Sequence, residues 1–142
     1  LNDLYYMTAG EHFGKAYKLC SKKQINAVYA SGKVVKSYPL NCHYLPLSLD
    51  AAVPFQVVIA VPKRAFKRAH DRNYIKRLLR EVIRKNKQLI EPKLQANAAQ
   101  LGIMVFYRAK EIPNYEQLNQ AWQKLVQKLT QELDIGAVNN ES

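Results

Sequence analysis

Acid is scarce in this 142-residue chain: 11 Asp and Glu stand against 22 Lys and Arg, a formal net charge of +11. Few carboxylates are left to pair for acid–base chemistry, and neither a Cys/His dyad, an H-E-x-x-H stretch nor a nucleophile elbow is present, so no catalytic or metal-ligating residue is assigned. Cysteine is nearly missing too. Cys20 and Cys42 have no CxxC or His-rich companion, which argues against a zinc site or disulfide scaffold and for reduced thiols in cytoplasm. His12, His43 and His70 fall in three separate segments, the pattern of structural or surface histidines. No run approaches the ~18 to 20 apolar residues of a membrane span, and LNDLYYMTAGEHFGK lacks a basic start followed by an apolar core, so neither membrane nor export is indicated. Leu1 reads as a non-ATG start codon taken literally, with translation expected from Met7.

What is present is 48% hydrophobic side chains in one composition zone without repeats, enough for one domain that buries roughly two-thirds of its unfolded surface. The expected organisation is a flexible tail at 1–16, a domain at 17–133 and a disordered tail at 134–142. A high pI suits nucleic acid, an anionic membrane or an acidic protein equally, so the arrangement of the charge has to decide.

That charge is local. Positions 63–87 hold 11 of the 22 Lys and Arg against two acids, Asp71 and Glu81. Over 69–87, Ile75, Leu78, Leu79, Val82 and Ile83 fall at i, i+3, i+4, i+7 and i+8, an apolar stripe facing a core. Asn73, Arg77, Arg80, Arg84 and Lys87 fall on the opposite side. A solvated helix normally interleaves Glu with Lys, whereas like charges at i+3 and i+4 repel until a partner neutralises them. A row of guanidinium groups, each able to fork onto two phosphate oxygens, therefore points to nucleic acid. Asp71 suits the N-cap or first turn, and Asn73 is either a bystander or a donor to phosphate or base. Lys63, Arg64, Lys67 and Arg68 add cations beside the helix N-terminus, where anions are favoured, and Phe66 either fills the core or stacks on a base.

Elsewhere Ser21 caps a helix to Ala30 that Gly32 stops, with Ile25, Val28 and Tyr29 on one face. Period-two alternation of Leu40, Cys42 and Tyr44 predicts a half-buried strand with Asn41 and His43 on its other face, and FQVVIAV and LGIMVFY predict strands at 55–61 and 101–107. Tyr29 meeting Asn41 and His43 there is either a stacking platform for unpaired nucleotides or simple packing beneath the helix. Asn114 and Gln117 form a capping box before a stripe of Leu118, Ala121, Trp122, Leu125, Val126 and Leu129. Strand, helix and strand over 55–107 imply parallel pairing with the basic helix as crossover, and the other helices are expected on one sheet face.

VIAVPKRAFKRAHDRNYIKRLLREVIRKN resembles the signature of the bacterial ribonuclease P protein family: a strand, a Lys-rich turn, then Ala-x-x-Arg-Asn-x-x-Lys-Arg-Leu-x-Arg-Glu. The matching residues are Lys63, Arg64, Ala69, Arg72, Asn73, Lys76, Arg77, Leu78, Arg80 and Glu81, and similarity extends over about 115 of the 142 residues. Tyr74 stands where the family usually has Arg, and Ile25 where it usually has Phe.

The resemblance implies an α/β (α+β) two-layer sandwich with an about four-stranded mixed sheet, three helices and a left-handed β-α-β crossover. It implies an RNA-binding subunit that assists a catalytic RNA in removing the 5′ leader of precursor tRNA, with hydrolysis done by Mg²⁺ held mainly by RNA and substrate. On it, Lys63, Arg64, Lys67, Arg68, Arg72, Asn73, Lys76, Arg77, Arg80 and Arg84 hold the catalytic RNA, and Ile25, Tyr29, Asn41 and His43 line the leader cleft. The protein is expected to be monomeric without RNA. The rivals are a non-enzymatic RNA-binding module of ribosomal type and a DNA-binding regulator, which lacks the two-helix unit usual in such proteins.

Overall fold

The computed structural model describes residues 4–6, 14–96 and 99–141; Met7 and His12 lie outside them. Two nearly continuous apolar strands, β4 (Phe55–Pro62) and β5 (Leu101–Tyr107), pair in parallel at the centre, with Phe55 opposite Leu101 and Ala60 opposite Phe106. β3 (Leu40–Pro46) lies antiparallel to β5, and β2 (Lys33–Ser37) closes that edge as a hairpin with β3 through Tyr38-Pro39. A short β1 (Leu4–Tyr6) borders β4, giving the order β1-β4-β5-β3-β2. The sheet is thus the expected four longer strands plus a three-residue edge strand inside the region read as a tail.

Both strand faces are covered, which is why β4 and β5 do not alternate in polarity. Val57, Ile59 and Val61 of β4 join Ile103, Val105 and Tyr107 of β5 under α2 (Ala69–Lys85), α3 (Lys87–Ala96) and α4 (Tyr115–Glu141). Val58, Ala60, Met104 and Phe106 face the other way, where Ile25 and Val28 of α1 (Lys22–Ser31) cover them. So α1 lies alone on its face, and the expectation that all remaining helices share one face fails for it.

Local signals explain most boundaries. Ser21 Oγ accepts from the Gln24 N–H at 3.3 Å and caps α1. Gly32 follows with its N–H on the Val28 carbonyl; its φ is −70°, so what demands glycine is room, since a Cβ would meet Val28 O at 2.3 Å and Tyr44 O at 2.9 Å. The capping box of α4 is reciprocal: Gln117 N–H donates to Asn114 Oδ1 at 2.8 Å, and Asn114 N–H to Gln117 Oε1 at 3.2 Å.

Of the two places expected for Asp71 the structure takes the first turn of α2, and Arg68 is the N-cap, without a side-chain bond. Two expectations change. Among the described residues there are four α-helices where three were expected, because the basic helix breaks at Asn86 and α3 follows it directly. Asn86 Nδ2 donates both to Val82 O and to Asn119 Oδ1 on α4, each at 2.7 Å, a tether to a residue 33 positions away. Finally, α4 runs on to Glu141, through the stretch expected as a C-terminal tail.

Candidate nucleic-acid interface

The turn between β4 and α2 is anchored from inside. Phe66 is 5% exposed and packs on Tyr107, with ring centroids 5.8 Å apart, which settles it as core. Arg72, also 5% exposed, donates from Nη1 to the carbonyls of Phe66 at 2.7 Å and Lys67 at 2.9 Å. With the turn held at two points, Lys63, Arg64, Lys67 and Arg68 project into solvent next to the helix N-terminus. Arg72 therefore supports this cationic array from beneath and is not part of its exposed surface, contrary to its sequence-based place among the RNA contacts.

Along α2, Asn73 and Arg77 are exposed, Arg80 is half-buried and Tyr74 offers a ring that is 40% exposed. Arg84 forks onto Glu81 through Nε at 3.0 Å and Nη2 at 2.6 Å, so a phosphate must compete with a carboxylate there. Lys76 lies inward at 6% exposure. Burial, with Arg72 and Arg80 beside it, pulls its ammonium down to about 8 from the ordinary 10.5.

This shift has a testable sign. Between pH 8 and 10.5 the unfolded chain holds the Lys76 proton more tightly than the folded one, so the lysine's contribution to stability rises with pH. Tyr17 and Tyr107, raised to about 12 chiefly by burial, act in the opposite sense as their unfolded phenols ionise. Subtraction isolates the lysine: the stability of Lys76→Met minus that of wild type, from urea unfolding, is expected to shrink between pH 8 and 10.5. A constant difference would mean Lys76 titrates as an ordinary lysine.

A second surface lies on the α1 side of the sheet. Tyr29, 49% exposed, stacks on His43 with centroids 5.6 Å apart and planes 11° from parallel, and Phe106 meets His43 edge-on at 5.2 Å. Arg108 sits 5.2 Å from the Phe106 ring. With its amide oxygen turned toward that guanidinium, Asn41 accepts from Arg108 Nε at 3.1 Å and donates to Leu40 O at 3.2 Å. Burial lowers the His43 pKa and Arg108 adds to the effect, while the Tyr29 backbone opposes it, so the surroundings favour the neutral imidazole. Tyr29, Asn41 and His43 thus come together as expected, whereas Ile25, 6% exposed, packs beneath α1. Arg108 belongs to this surface and Phe106, itself buried, supports it from beneath; both were missed, although period two along LGIMVFYR would have put them on the face of Met104.

The two surfaces differ in chemistry. A cationic turn and helix suit a phosphate backbone, and an aromatic and amide platform suits unpaired bases. They share one end of the sheet, since β4 delivers the turn after Pro62 and β5, parallel to it, delivers Arg108. Among the described residues no group of three or more His, Cys, Asp and Glu could hold a metal ion, and no helix is long and apolar enough to cross a membrane.

Comparison with known proteins gives a consistent result. The family model described as Ribonuclease P matches residues 13–130. The ribonuclease P protein component of Porphyromonas gingivalis strain ATCC 33277 is 32% identical over 137 residues, 95% of this chain and 100% of the relative. That of Xylella fastidiosa strain 9a5c is 28% identical over 110 residues, 78% of this chain and 74% of its own. Among solved structures, the RNase P protein of Staphylococcus aureus superposes with a TM-score of 0.64 at 22% identity, covering 81% of this chain and 96% of that one. The RNase P protein from Thermotoga maritima gives 0.63 at 20% identity, covering 78% and 96%.

Proposed function

Since this chain belongs to the ribonuclease P protein family, we propose that its basic turn and helix α2 grip the catalytic RNA while the α1-side platform holds the single-stranded 5′ leader of precursor tRNA. Membership makes it a subunit of the endoribonuclease that matures tRNA 5′ ends. The observation that supports the division of labour is the anchored turn. Phe66 and Arg72 fix it from the inside, so Lys63, Arg64, Lys67 and Arg68 meet phosphates without first being ordered. Asn73, Arg77 and Arg80 continue the track, Arg84 joins it by exchanging Glu81 for phosphate, and Lys76 strengthens the local field from below the surface.

On the other face, Tyr29 over His43 offers a stacking plane, and Asn41 with Arg108 offers an amide edge and a cation beside it. A neutral His43 keeps that plane free of charge, so bases are held by stacking and the phosphate falls to Arg108. Mg²⁺ belongs with the RNA and substrate in this reading, as the family resemblance implies. What the ion supplies is activation of water and stabilisation of the leaving oxygen, and the chain's own residues bind and orient. The protein works in the cytoplasm and is monomeric until it meets RNA.

A ribosomal-type binding module would share the basic helix without processing tRNA, and reconstitution separates the two. With the cognate catalytic RNA at low Mg²⁺ the chain is expected to stimulate precursor tRNA cleavage; no stimulation would overturn the assignment. Replacing Arg77 and Arg80 together by Ala is expected to lower the salt dependence of RNA binding by roughly 0.7 to 0.9 for each phosphate no longer neutralised, with the fold intact. An unchanged slope would remove both from the interface.

A further inference from the structure

Beyond the two RNA surfaces, a cavity of about 440 Å³ opens at the end of the sheet where β5 runs out, between the β2–β3 turn, the loop after Ala109 and the first turns of α4. Its rim carries Tyr38, which at 79% has the highest exposure of the large hydrophobic side chains among the described residues, and Ile112 at 48%. Opposite them α4 presents Gln117, Gln120 and Lys124, at i, i+3 and i+7 and so on one helix face. The frame is rigid. Tyr107, at the floor, donates its hydroxyl to Glu111 O at 2.7 Å and fixes the loop, and Arg108 N–H donates to Pro39 O at 2.8 Å and fixes the turn.

We propose that this cavity binds an unpaired nucleotide of single-stranded RNA, its base against Tyr38 and Ile112, its edge read by Gln117 and Gln120, and its phosphate met by Lys124. Three observations support it. The volume falls within the range of small-ligand sites, and the wall combines an aromatic face, amides and a cation, the set that unpaired bases use, with one acid, Glu111, also in the lining. An aromatic ring left this exposed in a chain of net charge +11 is better matched by a stacked base with its negative backbone than by an apolar partner. And the cavity adjoins Arg108: the Pro39–Arg108 backbone bond is its border with the proposed leader platform, so a strand leaving that platform can turn over the sheet end into it. This last point rests on the leader reading; the cavity's own chemistry does not.

The nucleotide can come from the leader or from the catalytic RNA, and crosslinking distinguishes them. In the reconstituted holoenzyme, 4-thiouridine placed along leaders of increasing length, or in the catalytic RNA, is irradiated and the protein adducts are mapped by mass spectrometry. Adducts at Tyr38 or Ile112 are expected from one of these RNAs. Tyr38→Ala is expected to weaken binding of that RNA between about fivefold and a hundredfold, and Tyr38→Phe to restore it, since base stacking needs the ring and not the hydroxyl. Tyr38 is exposed, so circular dichroism of Tyr38→Ala should match wild type. Tyr29→Ala serves as the control for the platform: loss of leader binding there with none at Tyr38→Ala, and no adduct at 38 or 112 from either RNA, overturns the cavity alone. Crosslinking of residue 38 to a protein partner would overturn it as well.

Discussion

Arg72→Met is expected to destabilise the protein by about 3 kcal/mol, because two charge-assisted bonds vanish, one to a buried carbonyl and one to a partly buried one, and the buried acceptor is left short of a donor. For a chain of this length that lowers the melting temperature by roughly 10 °C. RNA affinity should fall about tenfold with it, since the loosened turn must be reordered around Lys63, Arg64, Lys67 and Arg68 when RNA binds. The exposed neighbour behaves differently: Arg77→Met is expected to change stability by no more than about 0.5 kcal/mol while weakening RNA binding. Thermal unfolding and RNA titration of both variants give the check. Lost affinity at an unchanged melting temperature for Arg72→Met would make Arg72 a direct RNA contact after all.

Trp122→Ala is expected to cost about 3 to 5 kcal/mol, the range for truncating a buried tryptophan. Trp122 is fully buried in the core between α4 and the sheet. Its indole N–H has no hydrogen-bond partner among the described residues, so the residue is kept for its volume, and Trp122→Phe should cost less than half as much because it discards an unsatisfied donor together with some packing. Since Trp122 is the single tryptophan, unfolding has to be followed by far-ultraviolet circular dichroism. If Phe proved as damaging as Ala, the indole nitrogen would have to be bonded in solution.

Much of this was legible in one dimension. The apolar runs at 55–61 and 101–107, the Ser21 cap and the Asn114–Gln117 box are local signals, and each sits where sequence periodicity and capping chemistry put it. The clustering of Tyr29, Asn41 and His43 was equally readable, because it needs only strand alternation and a neighbouring helix. What was not legible depended on distant partners. The break at Asn86 is fixed by Asn119, and nothing in RKNK announces it. The burial of Arg72 and Lys76 was half-visible: at about 100° per residue Arg72 lies only about 60° from Ile75, on the edge of the apolar stripe. Its place among the RNA contacts came from the family resemblance, while its angle left it off the outward face. A guanidinium goes inside only if carbonyls wait for it, and those belong to a turn whose path the sequence does not state.

One feature of β4 bears on how such a subunit can change. Val57, Ile59 and Val61 support the layer that carries α2, while Val58 and Ala60 support α1, so a single backbone is the partition wall between the cationic helix and the α1-side platform. A larger side chain at Ala60 would push on α1, and the recoil would pass through the strand to the helix bearing the arginines. Neither face can drift on its own. Substitutions that tune one grip are therefore expected to be admitted in compensated sets, and a slip of the strand by one residue, about 3.3 Å, would turn each face's side chains over to the other. The spacing between the arginine-bearing helix and the α1-side platform is in this sense a lattice constant of the sheet, fixed by hydrogen-bond register and out of reach of any single surface residue.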